Sequence, residues 1–370
     1  MGWKGALVEM PLALASRVAA RWGPLPAAPR DILILRPNDL GDVHTTTPTF
    51  AALRARFPSS RIVAAVGAWA APVLANNPNV DEIVELDAPW NNKFVADQSW
   101  GAVRRFLMGS EQVEALRRRG GFDAGIDVLG SHVGSVLMMR LGVRFRVGVR
   151  GYRGGWSACQ RYIRFSTEVH VARAALDQAA LLGVTDPPPP VPQLFLADAE
   201  RTAAERLWGA RSPGAARLIV GCGGGLEGKC WPSAQMAAAL SQVSLPRAGA
   251  APRADVVLVG GAADRDRGRE IAALSGGSVR SLCGETSLRM TFALTAAADA
   301  VLTNASMLAH TAAAFRKPAV VVLGGMHRDR DAYDRLWGYP PPYRSVAPIE
   351  ASREWPEAGV VAGAVFDALR

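Results

Sequence analysis

The four cysteines, Cys159, Cys222, Cys230 and Cys283, include no CxxC pair. That argues against zinc and disulfide frameworks and suits a reducing compartment, the cytoplasm. The five histidines, His44, His132, His170, His310 and His327, are scattered and show no metal-ligand spacing. No metal and no other cofactor is therefore expected. No apolar run is long enough to span a bilayer. The opening stretch, MGWKGALVEMPLALASRVAARWGP, makes a poor signal peptide, because Glu9 and Pro11 interrupt it and no small-residue cleavage site follows. It reads instead as a helix, either packed on its own domain or lying on a membrane with Trp3, Lys4, Arg17, Arg21 and Trp22 at the interface. No nucleic-acid module or repeated aromatic pattern is present, so no nucleic-acid partner is expected.

What the chain does have is length and apolar content. Its 370 residues, 49% of them hydrophobic, are enough for two domains with substantial cores. Lysine and arginine outnumber the acids 42 to 33. Arginine is concentrated at positions 140, 144, 146, 150, 153, 161, 164 and 173, a stretch with Glu168 as its single acid. Such a patch attracts anions, whether a phosphorylated acceptor, an acidic membrane surface or nucleic acid, the last without a module to support it; the alternative is a solvated face.

Short apolar runs alternate with helical segments from Asp31 onward, which predicts parallel sheets with helices on both faces. Asn91 to Gly109 is less regular and reads as a flexible acceptor loop. Four prolines, Pro187 to Pro190, mark a semi-rigid linker. A second alternation follows, so the expected domains are 1–185 and 186–370, with a ligand cleft between two Rossmann-like halves.

Three stretches could carry chemistry. The first is DILILRPNDLGDVHTTTP, where Ile32 to Leu35 read as a buried strand and Pro37 to Gly41 as a turn. Thr45 to Thr47 then lead into a helix over Phe50 to Phe57. Asp42 is thereby placed at the carboxyl edge of the sheet, as a reactive carboxylate or as a helix cap. The second is GCGGGLEGKCWP after the strand Leu218 to Val220, in which Gly223, Gly224 and Lys229 suit a phosphate. Gly223 through Lys229 match the start of a P-loop, but Cys230 stands where Ser or Thr should hold magnesium, and Pro232 interrupts the helix. A phosphate loop of another kind, or a plain glycine-rich turn, fits better. The third is TNASMLAH, where Ser306, Met307 and Leu308 open a helix whose free amides can bind an anion and His310 follows one turn on. A lone histidine is as readily a core residue. Two DxD sequences, Asp264–Asp266 and Asp329–Asp331, carry a central arginine and read as local ion-pairing sites rather than metal sites.

Taken in order, these pieces resemble glycosyltransferase family 9, the ADP-heptose:lipopolysaccharide heptosyltransferases. The resemblance rests on Gly41–Asp42–Val43 with Thr46 and Pro48, NPNVDEIVELD at Asn77 to Asp87, and KCWP at Lys229 to Pro232. It rests also on Gly260–Gly261 after VVLV, on Thr286 to Leu288, and on Ser306 to Ala314. It implies a GT-B fold, with the acceptor in the N-terminal half and the nucleotide sugar in the other, and no metal. It implies inverting transfer with Asp42 as general base, a diphosphate held by Lys229 and the Ser306–Leu308 backbone, and Thr286 near the nucleobase. Arg150 and Arg153 would then face an anionic glycan or glycolipid acceptor, with a peripheral contact at the inner face of a membrane. The family usually places Asp before this Ser and Gly after it; Ala305 and Met307 stand here. That departure keeps open a non-catalytic sugar-nucleotide-binding protein, and the near-P-loop keeps open a nucleotide hydrolase.

Overall fold

The computed structural model describes residues 3–18, 22–244, 254–350 and 352–370, with residues 3–8 by backbone alone. The chain divides into two compact units, Met1–Pro192 and Gln193–Arg370. The division falls at the far end of the proline-rich stretch, where backbone that can enter neither helix nor sheet interior runs between two cores.

The first unit holds six parallel strands in the order β3-β2-β1-β4-β5-β6. They are β1 (Asp31–Arg36), β2 (Arg61–Val66), β3 (Glu82–Glu85), β4 (Ala124–Asp127), β5 (Phe145–Arg150) and β6 (Arg161–Arg164). Ile32 to Leu35 are fully buried, as expected of a central strand covered on both faces. The second unit repeats the plan with β7 (Ala216–Gly221), β8 (Ala254–Val259), β9 (Val279–Ser281), β10 (Ala300–Asn304), β11 (Ala319–Val322) and β12 (Tyr343–Val346), ordered β12-β11-β10-β7-β8-β9. In each sheet the strand order reverses once, between β1 and β4 and between β7 and β10. At such a reversal the connections leave in opposite directions and open a crevice beyond the carboxyl ends of the strands.

Two local expectations need correcting. The helix after β1 spans Leu40–Arg56 and so contains the three threonines and Pro48. Proline has no N–H to donate to the carbonyl four residues back, here that of His44. The Thr47 hydroxyl donates to that carbonyl instead, at 2.7 Å, and the helix continues. Within the stretch expected to be irregular, Trp100–Gly109 is a helix capped by Ser99, whose hydroxyl accepts from the Ala102 amide. Val103 and Leu107, one turn apart, bury its inner face.

The N-terminal helix, Trp3–Val18, does pack on its own unit. Glu9 accepts from the Gly155 and Ser157 amides at 2.7 and 3.1 Å. Arg17 and Trp22 are exposed. Arg21 lies outside the described residues, as do the side chains of Trp3 and Lys4.

Candidate active site

Asp42 sits in the first turn of the helix Leu40–Arg56, beyond the carboxyl end of β1 at the reversal point of the first sheet. Both of its oxygens are engaged. Oδ1 accepts from Arg36 Nη2 at 2.9 Å, and Oδ2 accepts from the Asp39 amide at 3.2 Å. Asp39 caps the same helix, and the pair forms a capping box. Both readings of Asp42 therefore meet in one residue: it is part of a cap, and its side chain is still 25% exposed at the sheet edge. Arg36, the last residue of β1, is nearly buried and holds the carboxylate in one orientation. Deeper in the crevice, Asp127 closes β4 and accepts from the Ser131 amide at 2.8 Å. Burial raises its pKa, against the opposing pull of the Ser131 and Gly130 amides and of the Arg36 charge.

A cavity of about 250 Å³ opens in this unit among Trp90, Asn91, Trp100, Ser131, His132 and Arg153. It is tied to the Asp42 turn by bonds from that turn's side chains to the main chain at Asn91 and Lys93. The Asn91 carbonyl accepts from Asn38 Nδ2 at 2.9 Å, and the Lys93 amide donates to Asp39 Oδ1 at 3.2 Å. Trp69 donates to the Asn38 carbonyl at 2.8 Å and stacks on Phe94. One segment thus lines the cavity and braces the residues leading to Asp42. Arg153 lines this cavity; Arg150 is held instead against the Trp156 and Tyr162 rings, 4.4 and 5.7 Å from its guanidinium.

The broad arginine patch shrinks in three dimensions. Arg140 pairs with Glu114, Arg144 lies 3.8 Å from Asp123, and Arg173 pairs with Asp177. Arg146 is fully buried and donates to the Val143 and Ala158 carbonyls, with burial lowering its pKa. Arg144 and Arg173 stay exposed but paired; among the described residues, Arg153, Arg161 and Arg164 are exposed with no carboxylate partner.

In the second unit the glycine loop and the start of helix Met307–Ala314 meet at the other reversal point. Asn304, the fully buried last residue of β10, fastens them together. Its Nδ2 donates to the Cys222 and Gly223 carbonyls at 2.9 and 3.2 Å, and its Oδ1 accepts from the Trp231 amide at 3.0 Å. The Ser306 and Thr303 hydroxyls share a bond at 3.0 Å. As the first residues of the helix, Met307 and Leu308 offer amides that no intrahelical carbonyl can take. Lys229 ends a short 3₁₀ turn and is half-buried. Its charge, after burial, lowers the pKa of His327. Arg267 adds a second cation to this loop and pairs with Glu227.

Two of the glycines are explained by packing. A Cβ on Gly223 would lie 2.3 Å from Asp264 Oδ1, and one on Gly224 would lie 3.0 Å from the Lys229 Cβ. Gly223 therefore accommodates a carboxylate side chain, which in turn accepts from the Gly261 amide at 2.8 Å. Thr286 lies on the loop after β9, its hydroxyl 3.2 Å from that of Thr291. His310 does not join the anion-facing amides. It is buried, its Nδ1 is 2.7 Å from the Tyr339 hydroxyl, and its ring packs on Trp337. The DxD residues act locally: Asp266 pairs with Arg269, and Asp329 accepts from the Ala332 amide. All four cysteines are free and buried.

Arg36 and Asp127 escaped sequence reading. The signal that could have found them is positional, since each is the last residue of a strand bordering a reversal point.

Two units with this strand order, each a parallel sheet flanked by helices, define an α/β protein of GT-B type. The sequence model of glycosyltransferase family 9 (heptosyltransferase) matches residues 113–332, and the chain belongs to that family. The match leaves the Asp42 segment outside it. Lipopolysaccharide heptosyltransferase 2 of Salmonella typhimurium is 29% identical over 316 residues, covering 79% of this chain and 82% of its own. Among solved structures, the family 9 glycosyl transferase of Veillonella parvula superposes with a TM-score of 0.76 at 18% identity, over 93% of this chain and 98% of that one. The Escherichia coli ADP-heptose lipopolysaccharide heptosyltransferase II gives 0.70 at 22% identity, over 92% and 98%.

Proposed function

We propose that this protein transfers a heptose, or a closely related sugar, from ADP-heptose to a hydroxyl of an anionic glycan such as a lipopolysaccharide core. The observation that carries the reading is the pair of furnished reversal points in a family 9 chain. One holds an oriented carboxylate braced against a cavity, and the other holds a cation and free helix amides on a pinned loop.

In the reaction we infer, the acceptor hydroxyl attacks the anomeric carbon while Asp42 takes its proton. The bond from that carbon to the diphosphate breaks, and ADP leaves with the electron pair. A single displacement of this kind inverts the anomeric centre. Lys229 and the Met307 and Leu308 amides would offset the charge developing on the diphosphate, so no metal is required. Gly223 and Gly224 shape the loop that carries Lys229, and Thr286 is assigned to the nucleobase side. Arg153 would meet an anionic group of the acceptor in the cavity, with Arg150 supporting the aromatic wall behind it. The setting is the cytoplasm, at the inner face of a membrane that carries the acceptor. Among the described residues no helix is long and apolar enough to cross a membrane.

The test is incubation of the purified chain with ADP-heptose and a heptose-deficient core oligosaccharide, with and without a chelator. Glycosylated product of inverted anomeric configuration, formed equally with chelator present, is the expected result. ADP-heptose binding without turnover would favour the second reading, a sugar-nucleotide-binding protein, which the Ala305 and Met307 positions favour.

A further inference from the structure

The N-terminal helix is turned inside out with respect to polarity. Two of its polar residues face the protein, Glu9 clamped by the Gly155 and Ser157 amides and Ser16 fully buried, while Arg17 is exposed. Its large apolar residues face outward, with Met10, Leu14 and Val18 at 76%, 66% and 77% exposed. A spacing of four puts all three on one face of the helix. Trp22, just beyond the helix, is 40% exposed. A helix anchored this way is no fraying terminus, and a contiguous apolar stripe left in water is unfavourable unless something covers it.

Charge indicates the cover. From Met10 through Arg30 the sequence contains Arg17, Arg21 and Arg30 and no acid. The segment to which Glu9 fastens the helix has the same character. Tyr152 and Phe165 stack at 4.5 Å, each 45% exposed, and the Arg153 guanidinium lies 5.3 Å from the Tyr152 ring. Arg161 and Arg164 stand exposed beside them on β6. A second copy of this chain would bring cations against cations. An anionic lipid surface offers hydrocarbon for the stripe and opposite charge for its surroundings.

We propose that the outward face of helix Trp3–Val18 docks this protein on an anionic bilayer, with Met10, Leu14 and Val18 entering the headgroup boundary.

Flotation of the full chain with vesicles tests this, and it needs neither donor nor acceptor, so its result is separate from that of the transfer reaction. The chain should float with vesicles of phosphatidylethanolamine and phosphatidylglycerol, and at least tenfold less with phosphatidylcholine alone. Joint replacement Met10→Gln, Leu14→Gln and Val18→Gln keeps good helix formers at solvent-facing positions. It should lower binding at least tenfold with the melting temperature retained. Leu14→Trp, which adds an interfacial anchor, should strengthen binding several-fold. Absence of flotation by the wild type, or equal flotation by the triple variant, overturns the proposal. So does a wild-type dimer that the triple variant dissociates while vesicle binding stays absent.

Discussion

Asp42 belongs to a cap and, as proposed, to the chemistry, and substitution separates the two. Asp42→Asn leaves one acceptor oxygen where the native side chain uses two, for Arg36 and for the Asp39 amide. The stability cost is expected to be about 1 kcal/mol, the usual worth of a cap contact. Turnover should fall much further, by about a hundredfold to ten-thousandfold, because an amide cannot take the acceptor proton. Measuring kcat, ADP-heptose affinity and melting temperature together decides; near-normal kcat with a lowered melting temperature would leave Asp42 as a cap alone. Lys229→Ala is expected to weaken ADP binding by about tenfold to a hundredfold, the scale of one charge-assisted contact. Isothermal titration with ADP checks this, and wild-type affinity would remove Lys229 from the donor site.

Asn304 shows how an element can depend on one amide. Asn304→Ala would strand the Cys222 and Gly223 carbonyls and the Trp231 amide at the reversal point, at a cost of about 2–3 kcal/mol for buried groups left unpaired. ADP affinity should drop with stability, since the loop and the helix start lose their common fastening; chemical denaturation and ADP titration of the variant measure both. At this scale the sequence was legible wherever the signal was local. The apolar run Ile32 to Leu35 and the break after it at Pro37 to Asp39 could be read directly. The edge strands β6 and β12 could not, since RYIR and YRSV place charges on half-solvated positions and lack an apolar run. The start of helix Leu40–Arg56 was hidden by Pro48, because the compensation by Thr47 is a side-chain bond that propensity does not register. The arginine patch was overread for the opposite reason. Glu114 and Asp123 lie far from their partners along the chain, and only folding brings them to Arg140 and Arg144.

Across the whole molecule, acid should act first on the unit Met1–Pro192. His44 is fully buried and donates from Nδ1 to the Leu40 carbonyl at 2.8 Å, and burial lowers its pKa to about 4. Unfolded, it would titrate near 6.5, so between those values the unfolded chain binds the extra proton and stability falls with falling pH. From pH 7 to 5 the loss from this group is about 2 kcal/mol. Buried Asp127 works the other way: its raised pKa means that stability falls as pH rises above the ordinary carboxylate range. Comparing the pH dependence of unfolding in wild type and His44→Gln isolates the histidine; equal slopes would show that its burial is not what couples stability to acid. The two sheets also bear on descent. Among the described residues each is built from the strands of one unit alone, with its own reversal point and its own fastening residue. Lineages of this chain can therefore vary the two halves as separate inherited traits. If the proposed function holds, drift around Trp100 and Arg153 would change what is glycosylated, while the Asn304 loops would pass down the donor preference unaltered.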